Sequence, residues 1–247
     1  MKAEWLAAFR RPPKLAKRDI LLTLAPIVGI VAAFLLRPAI MDFQCKHTPE
    51  ECARESVNWL DRKSMGVESP QADFWSDVSQ NTAGILAATV PLALQLGRAA
   101  GGGVSLAVGL AYAGTDILIF VQAALWNSFA NEITRLAVQR PRPFVYRDPV
   151  TFGGTASDYT SFYSGHTSFA TVAMLSLVFS LLGRGVTMPW LTGWSLTGLG
   201  FVFFTALTRV LAGRHFMSDV VVGMIVGAVI TVIVRQQISL RSRANST

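Results

Sequence analysis

Between two apolar runs, Trp190–Leu211 and Val220–Val234, the chain carries Thr208-Arg-Val-Leu-Ala-Gly-Arg-His-Phe-Met-Ser-Asp219. Each run approaches the ~20 residues that cross a bilayer, and the charged stretch reads as the turn joining two spans. Arg209, Arg214, His215 and Asp219 are costly this close to apolar segments unless they share one site. Outward from this pair, the same reading places four earlier spans near Ile20–Leu36, Asn81–Leu96, Val104–Leu125 with a polar extension to about Val138, and Thr167–Leu182. Pro91 and several small residues weaken the second. The third is long enough to tilt or to protrude. The expected fold is all-α: an integral membrane bundle of six transmembrane helices forming one domain over residues 1–247.

Composition agrees. Hydrophobic residues make up 51% of the chain and charged residues only 15%, which excludes an ordinary soluble domain. The net charge of +7 is unevenly placed. Lys2, Arg10, Arg11, Lys14, Lys17 and Arg18 crowd residues 1–19 or their edge, and Arg235, Arg241 and Arg243 lie in residues 235–247. Beside spans, such clusters set topology or touch anionic lipid rather than bind nucleic acid. Both ends are therefore expected in the cytoplasm, with Arg98 and Arg184 in the two short cytoplasmic turns. The Ile20–Leu36 stretch is long for a signal peptide and lacks a small-residue cleavage site, so it reads as a retained span. Arg135, Arg140, Arg142, Arg147, Arg209 and Arg214 then fall on the outer face and break the positive-inside rule. Binding an anion there accounts for the exception.

Three segments within residues 135–219 carry the chemistry: Arg135-x₆-Arg142-Pro143, Ser164-Gly165-His166 and Arg209-x₅-His215-x₃-Asp219. They hold two of the chain's 3 histidines. Arginine presents a planar fork of donors that suits phosphate, so Arg135, Arg142 and Arg209 are candidate phosphate ligands. The N–H groups of Ser164 and Gly165, at the start of the fourth helix, offer an anion seat. Pro141 and Pro143 predict that the third helix ends before Arg142. His215 and Asp219 are four apart, which predicts a shared helix face with the carboxylate holding one ring nitrogen. His215 is the expected nucleophile, and His166 the expected acid and later base. With fixed arginines supplying positive charge, no metal or other cofactor is expected.

These segments resemble the type-2 phosphatidic acid phosphatase superfamily, whose pattern is Lys-x₆-Arg-Pro, Pro-Ser-Gly-His and Ser-Arg-x₅-His-x₃-Asp. The resemblance runs in order from Arg135 to Asp219 and departs at Arg135, Tyr163 and Thr208, which stand for lysine, proline and serine. It implies a phosphohistidine intermediate and a lipid phosphatase of the bacterial inner membrane, with the site on the periplasmic or extracellular side. Phosphatidic acid, phosphatidylglycerol phosphate, a polyprenyl diphosphate and lipid A are the candidate substrates. The same residues serve a lipid phosphotransferase with a hydroxyl acceptor. The related vanadate-dependent haloperoxidases are soluble, which six spans disfavour. A non-enzymatic lipid-binding or transport protein would bind anions without turnover, and the intact histidine pair with Asp219 argues against it. Expected partners are the lipid phosphate and membrane lipids, with no nucleic acid and no obligate protein partner.

Residues 38–80 read as an outer loop. In an oxidising compartment its Cys45 and Cys52 are expected to form a disulfide, whereas zinc has only His47 nearby to assist. Trp59, Leu60, Phe74 and Trp75 make parts of the loop amphipathic. Asp116, deep in the third span, is read as a structural pairing, and Asn127, Asn131 and Glu132 as supports nearer the site. Gly223-x₃-Gly227 is read as a close helix contact. Gly153-Gly154 and the polar run to Ser161 are read as a mobile loop over the site.

Overall fold

The structure, a computed structural model, describes residues 17–244, and the side chains of residues 18–238. The basic segment before residue 17 and the side chains of Arg241 and Arg243 lie outside this range. Six long helices form the molecule: α1 Lys17–Ile40, α2 Pro70–Ala100, α3 Leu106–Val138, α4 Gly165–Gly183, α5 Met188–Leu211 and α6 Met217–Ala244. All six are long and apolar enough to span a membrane. The protein is an all-helical, multi-pass membrane protein.

Local chemistry sets the helix ends. Ser69, Ser105 and Ser164 accept N–H bonds as N-caps of α2, α3 and α4. Pro70 begins α2 at a position that needs no N–H. Gln139, with φ of 49°, ends α3 just ahead of Pro141, as the prolines predict. The second helix departs most from expectation. It starts at Pro70, eleven residues before the apolar run, and continues through Pro91. Phe74 and Trp75 consequently sit on α2 rather than in the outer loop. Its first three turns are polar, so hydropathy alone does not reveal them. With 31 and 33 residues, α2 and α3 exceed the ~20 that span hydrocarbon, and their protruding ends carry charge.

Helix α4 is central and packs against α2, α3, α5 and α6. In its most apolar window 61% of residues are buried, against 11% for α1, which lies against α3 at the periphery. The apolar surface that α1 exposes is suited to lipid. Polar bonds fix α1 in place: Gln122 Nε2 donates to Thr23 Oγ1 at 2.8 Å and Trp126 Nε1 to the Leu22 carbonyl at 3.1 Å. Gly223 and Gly227 let α6 approach α4 closely. A Cβ there would lie 2.8 Å and 2.5 Å from the Ser164 and Ser168 carbonyl oxygens. At one end of the bundle, Arg98 donates to the Arg184 carbonyl at 2.8 Å. There Arg184 also forks onto the buried Asp116 at 2.9 and 3.1 Å, the pairing expected for that carboxylate.

At the other end converge the C-termini of α3 and α5, the N-termini of α2, α4 and α6, and the outer loop. Cys45 and Cys52 are joined in a disulfide with a Cα–Cα distance of 5.4 Å. The Gly153–Ser161 segment is anchored, contrary to the expectation of a mobile loop. Thr155 and Asp158 form a reciprocal capping box. The buried Tyr159 donates to the Gly153 carbonyl at 3.2 Å and accepts from the Cys45 N–H at 3.1 Å.

Candidate active site

In the last turn of α3, Arg135 donates from Nη1 to Glu132 Oε1 at 2.7 Å, and Glu132 also pairs with Arg37. Beyond the helix end, Arg142 is held by neutral oxygens. Nε donates to the Ser157 carbonyl at 2.9 Å and Nη2 to Thr160 Oγ1 at 3.0 Å. On α5, the buried Arg209 donates from Nη1 to Asp73 Oδ1 at 2.5 Å and to Ser76 Oγ at 3.0 Å. Asp73 is shared with Arg214, whose Nε and Nη2 reach its other oxygen at 3.0 and 2.8 Å. Two carboxylates thus serve four arginines, and among the described residues Arg142 has no carboxylate partner. Burial, then the charges of Arg209, Arg135 and Arg214, push Arg142 down to about 9, so it stays a cation at neutral pH. The cluster carries excess positive charge that an oxyanion would offset.

The nucleophile candidate is shaped by its neighbours. His215 is fully buried, and its Nδ1 lies 2.6 Å from the Ser161 carbonyl oxygen. A carbonyl only accepts, so Nδ1 carries the proton and Nε2 keeps its lone pair. That Nε2 is buried and has no hydrogen-bond partner. Burial lowers the His215 pKa well below 6.5, and the charges of Arg209, Arg142 and Arg135 lower it further. The ring is therefore neutral at pH 7.

Asp219 does not hold this ring directly, contrary to the spacing argument. Its Oδ2 lies 3.8 Å from His215 Nδ1, too far for a hydrogen bond. His215 precedes α6, which begins at Met217, so the rule of i,i+4 on one helix face does not reach it. The tight turn at Gly213, with φ of 68°, sets this geometry. A Cβ on Gly213 would sit 2.5 Å from the Val67 carbonyl oxygen. Asp219 instead accepts from Ser161 Oγ at 2.6 Å, the Phe216 N–H at 2.9 Å and Arg140 Nη1 at 2.5 Å. It orients His215 through Ser161, whose carbonyl holds the ring.

His166, the second residue of α4, pairs through Nε2 with Asp77 Oδ1 at 2.6 Å. The anion seat is shifted by one residue from expectation, because the Ser164 N–H is taken by the Asp219 carbonyl at 3.1 Å. The N–H groups of Gly165 and His166 remain at the open helix N-terminus. A Cβ on Gly165 would lie 3.0 Å from Arg135 Nη2 and Asn131 Oδ1, so a side chain there would displace the arginine. Tyr163, in the position of the pattern's proline, donates to the Asn127 carbonyl at 3.3 Å. Its own carbonyl accepts from Asn131 Nδ2 at 2.7 Å, which steadies the turn into α4. Burial pushes the Tyr163 phenol up to about 12, so it keeps its proton.

The description of the PAP2 superfamily matches residues 116–243, more than half of the chain. The chain belongs to the PAP2 superfamily. No curated protein and no solved structure matches it. Within this PAP2 chain the match takes in all three motif segments and α3 from Asp116 onward, but not α1, α2 or the outer loop. The outer loop and α2 supply residues that sequence reasoning missed. Asp73 and Asp77 come from α2. Asp61, from the loop, accepts from Arg140 Nη2 at 2.8 Å and from Ser218 Oγ and N at 2.6 and 2.9 Å. Burial pushes the Asp61 carboxyl up, but its bonds to Arg140 and Ser218 outweigh burial and hold it low. Arg140 joins Asp61 to Asp219, with its guanidinium carbon 4.0 Å over the Phe216 ring. Being already matched by two carboxylates, Arg140 serves as a clamp rather than a phosphate ligand. No local spacing announces these partners, which lie 79 to 141 residues apart in sequence.

Proposed function

We propose that this PAP2 protein is a membrane lipid phosphatase that hydrolyses a phosphate monoester or diphosphate of a lipid through phosphohistidine. The observation that carries this reading is the buried, partnerless Nε2 of His215, whose protonation is disfavoured by burial and then by the charges of Arg209, Arg142 and Arg135. In the first step Nε2 attacks phosphorus, and the bond from phosphorus to the leaving oxygen breaks. That oxygen takes the electron pair and receives the proton of His166, whose imidazolium Asp77 stabilises. The positive charge developing on His215 is met by its Nδ1–H bond to the Ser161 carbonyl. In the second step His166 removes a proton from water, the water oxygen attacks phosphorus, and the N–P bond breaks to restore Nε2. Throughout, the arginines and the N–H groups of Gly165 and His166 bind the non-bridging oxygens.

Positive-inside bias supports placing both chain ends in the cytoplasm and this site on the outer face. Lipid would then present its phosphate at the end of the bundle with its tails in the bilayer. The test is phosphate release by purified protein in detergent from phosphatidic acid, phosphatidylglycerol phosphate, a polyprenyl diphosphate and lipid A, with and without EDTA. Release that persists in EDTA is expected. Release abolished by EDTA and restored by magnesium or zinc would overturn the arginine-based reading. For topology, a cysteine introduced near Gly154 should react with an impermeant thiol reagent in intact cells, and one at the C-terminus should not.

A further inference from the structure

Helices α1 and α6 both pack on α3, and between them runs a groove of about 820 Å³, within the ~300–1,000 Å³ of ligand pockets. It is separate from the candidate active site, since none of Arg135, Arg142, His166, Arg209 and His215 lines it. Thr134 stands at the end nearer that site, and Arg18 and Gln237 at the far end. At ~1.5 Å per residue, the stretch of α3 from Gln122 to Thr134 gives the groove ~18 Å of length. One leaflet of a ~30 Å hydrocarbon core needs ~15 Å of acyl chain. The wall between the ends is mostly apolar, and Trp126 in its floor is tied to the Leu22 carbonyl at 3.1 Å. The polar end lies where head groups begin: Arg18 precedes the apolar run Ile20–Leu36, and Gln237 follows Val220–Val234. Arg18 is exposed, and among the described residues it has no carboxylate partner. Its neighbour Asp19 does not line the groove. The Gln237 amide is exposed and makes no hydrogen bond among the described residues. An arginine so placed lays its apolar stem along the slot and holds its charge at the edge.

We propose that this groove binds an anionic phospholipid of the leaflet opposite the candidate active site. One acyl chain lies along α3 between α1 and α6, and the phosphate accepts hydrogen bonds from Arg18 and Gln237. A zwitterionic head brings its own cation against Arg18, whereas a head of net negative charge does not, so the groove favours the anionic lipid. The lipid is a bound ligand and not a substrate, because its phosphate sits at the ends of α1 and α6 remote from His215. Once bound, it bridges α1 to α6. The inference stands apart from the phosphatase reading.

The experiment is native mass spectrometry of the purified full-length protein, titrated with phosphatidylglycerol or phosphatidylcholine of identical acyl chains. It reads the Kd of the first lipid retained. Phosphatidylglycerol should bind about 5-fold more tightly, the effect of one arginine near a head-group charge. Arg18→Gln should cut that preference to under about 2-fold. Ala130→Trp fills the groove from its α3 floor without altering charge, and should remove the tight site for both lipids. Arg142→Gln should leave phosphatidylglycerol binding unchanged, because the lipid is not at the arginine cluster. Equal affinity for the two lipids, or a preference unmoved by Arg18→Gln, would overturn the groove. Phosphatidylglycerol binding unmoved by Ala130→Trp would reduce it to surface adsorption and overturn it as well. Loss of binding in Arg142→Gln would overturn it by moving the lipid to the candidate active site. Arg18→Gln is an exposed change, so its arm decides the matter even if Ala130→Trp does not fold.

Discussion

Replacing Arg140 by glutamine should be the most destabilising single change at the site end of the bundle. Arg140 is only 19% exposed, and both of its partners, Asp61 and Asp219, are fully buried. Glutamine of similar reach cannot neutralise them. Removing one member of a buried ionic network costs about 3–5 kcal/mol, because the remaining charge is stranded. For a chain of this length, each kcal/mol corresponds to about 2–4 °C, so the melting temperature in detergent should fall by roughly 6–20 °C. Falling pH should narrow the deficit. In the wild type the Asp61 pKa is held low, so its contribution is present above about 3.8 and is lost as pH falls through the lower folded value. In Arg140→Gln, burial dominates and raises the folded pKa, so the penalty is full above that raised value and fades as pH falls toward the unfolded one. Adding Asp61→Asn to Arg140→Gln should recover part of the loss. Tryptophan fluorescence melts of the four proteins, at pH 7 and pH 5, close the double-mutant cycle. A shift under 2 °C for Arg140→Gln, or additive effects of the two changes, would refute the clamp.

Three further outcomes follow from the same geometry. Arg142→Gln should lower kcat/KM by about 10²–10³-fold, while Arg214→Gln, more exposed and already paired with Asp73, should cost under about tenfold; equal losses in steady-state kinetics would contradict this division. Burial and then Arg209 hold the His215 pKa below 6.5, so the acid limb of kcat/KM belongs below that pH, and Arg209→Gln should move the limb upward; a limb unmoved or moved downward would remove Arg209 from the field at His215. Asp77→Asn should slow alkyl phosphates far more than aryl phosphates, whose leaving groups need little protonation, and should steepen the dependence of rate on leaving-group pKa; a uniform loss would reduce Asp77 to a packing role.

The spans were legible because crossing a bilayer demands a long apolar run, and Trp190–Leu211 and Val220–Val234 supply it openly. The helix break before Arg142 was legible because proline acts on its immediate neighbour. The polar first turns of α2 were not, since hydropathy registers only the part of a helix that meets lipid. The three motif segments could be read from spacing because each is local. Asp61, Asp73 and Asp77 could not, because their arginine and histidine partners are brought together only by the antiparallel bundle. The relation of His215 to Asp219 was misjudged for a related reason. A spacing of four implies one helix face only inside a helix, and the Gly213 turn starts α6 two residues too late for His215.

The central claim is that His215 Nε2 becomes covalently bonded to phosphorus. Rapid quench of turnover with a ³²P-labelled lipid phosphate, followed by peptide mapping and identification of the phosphohistidine isomer, tests it directly. The predicted result is an acid-labile, base-stable phosphate on Nε2 of His215, absent from His215→Ala and enriched in His166→Ala when an aryl phosphate is the substrate. Label on His166, label on Nδ1 of His215, or a His215→Ala protein nearly as active as wild type would contradict the account.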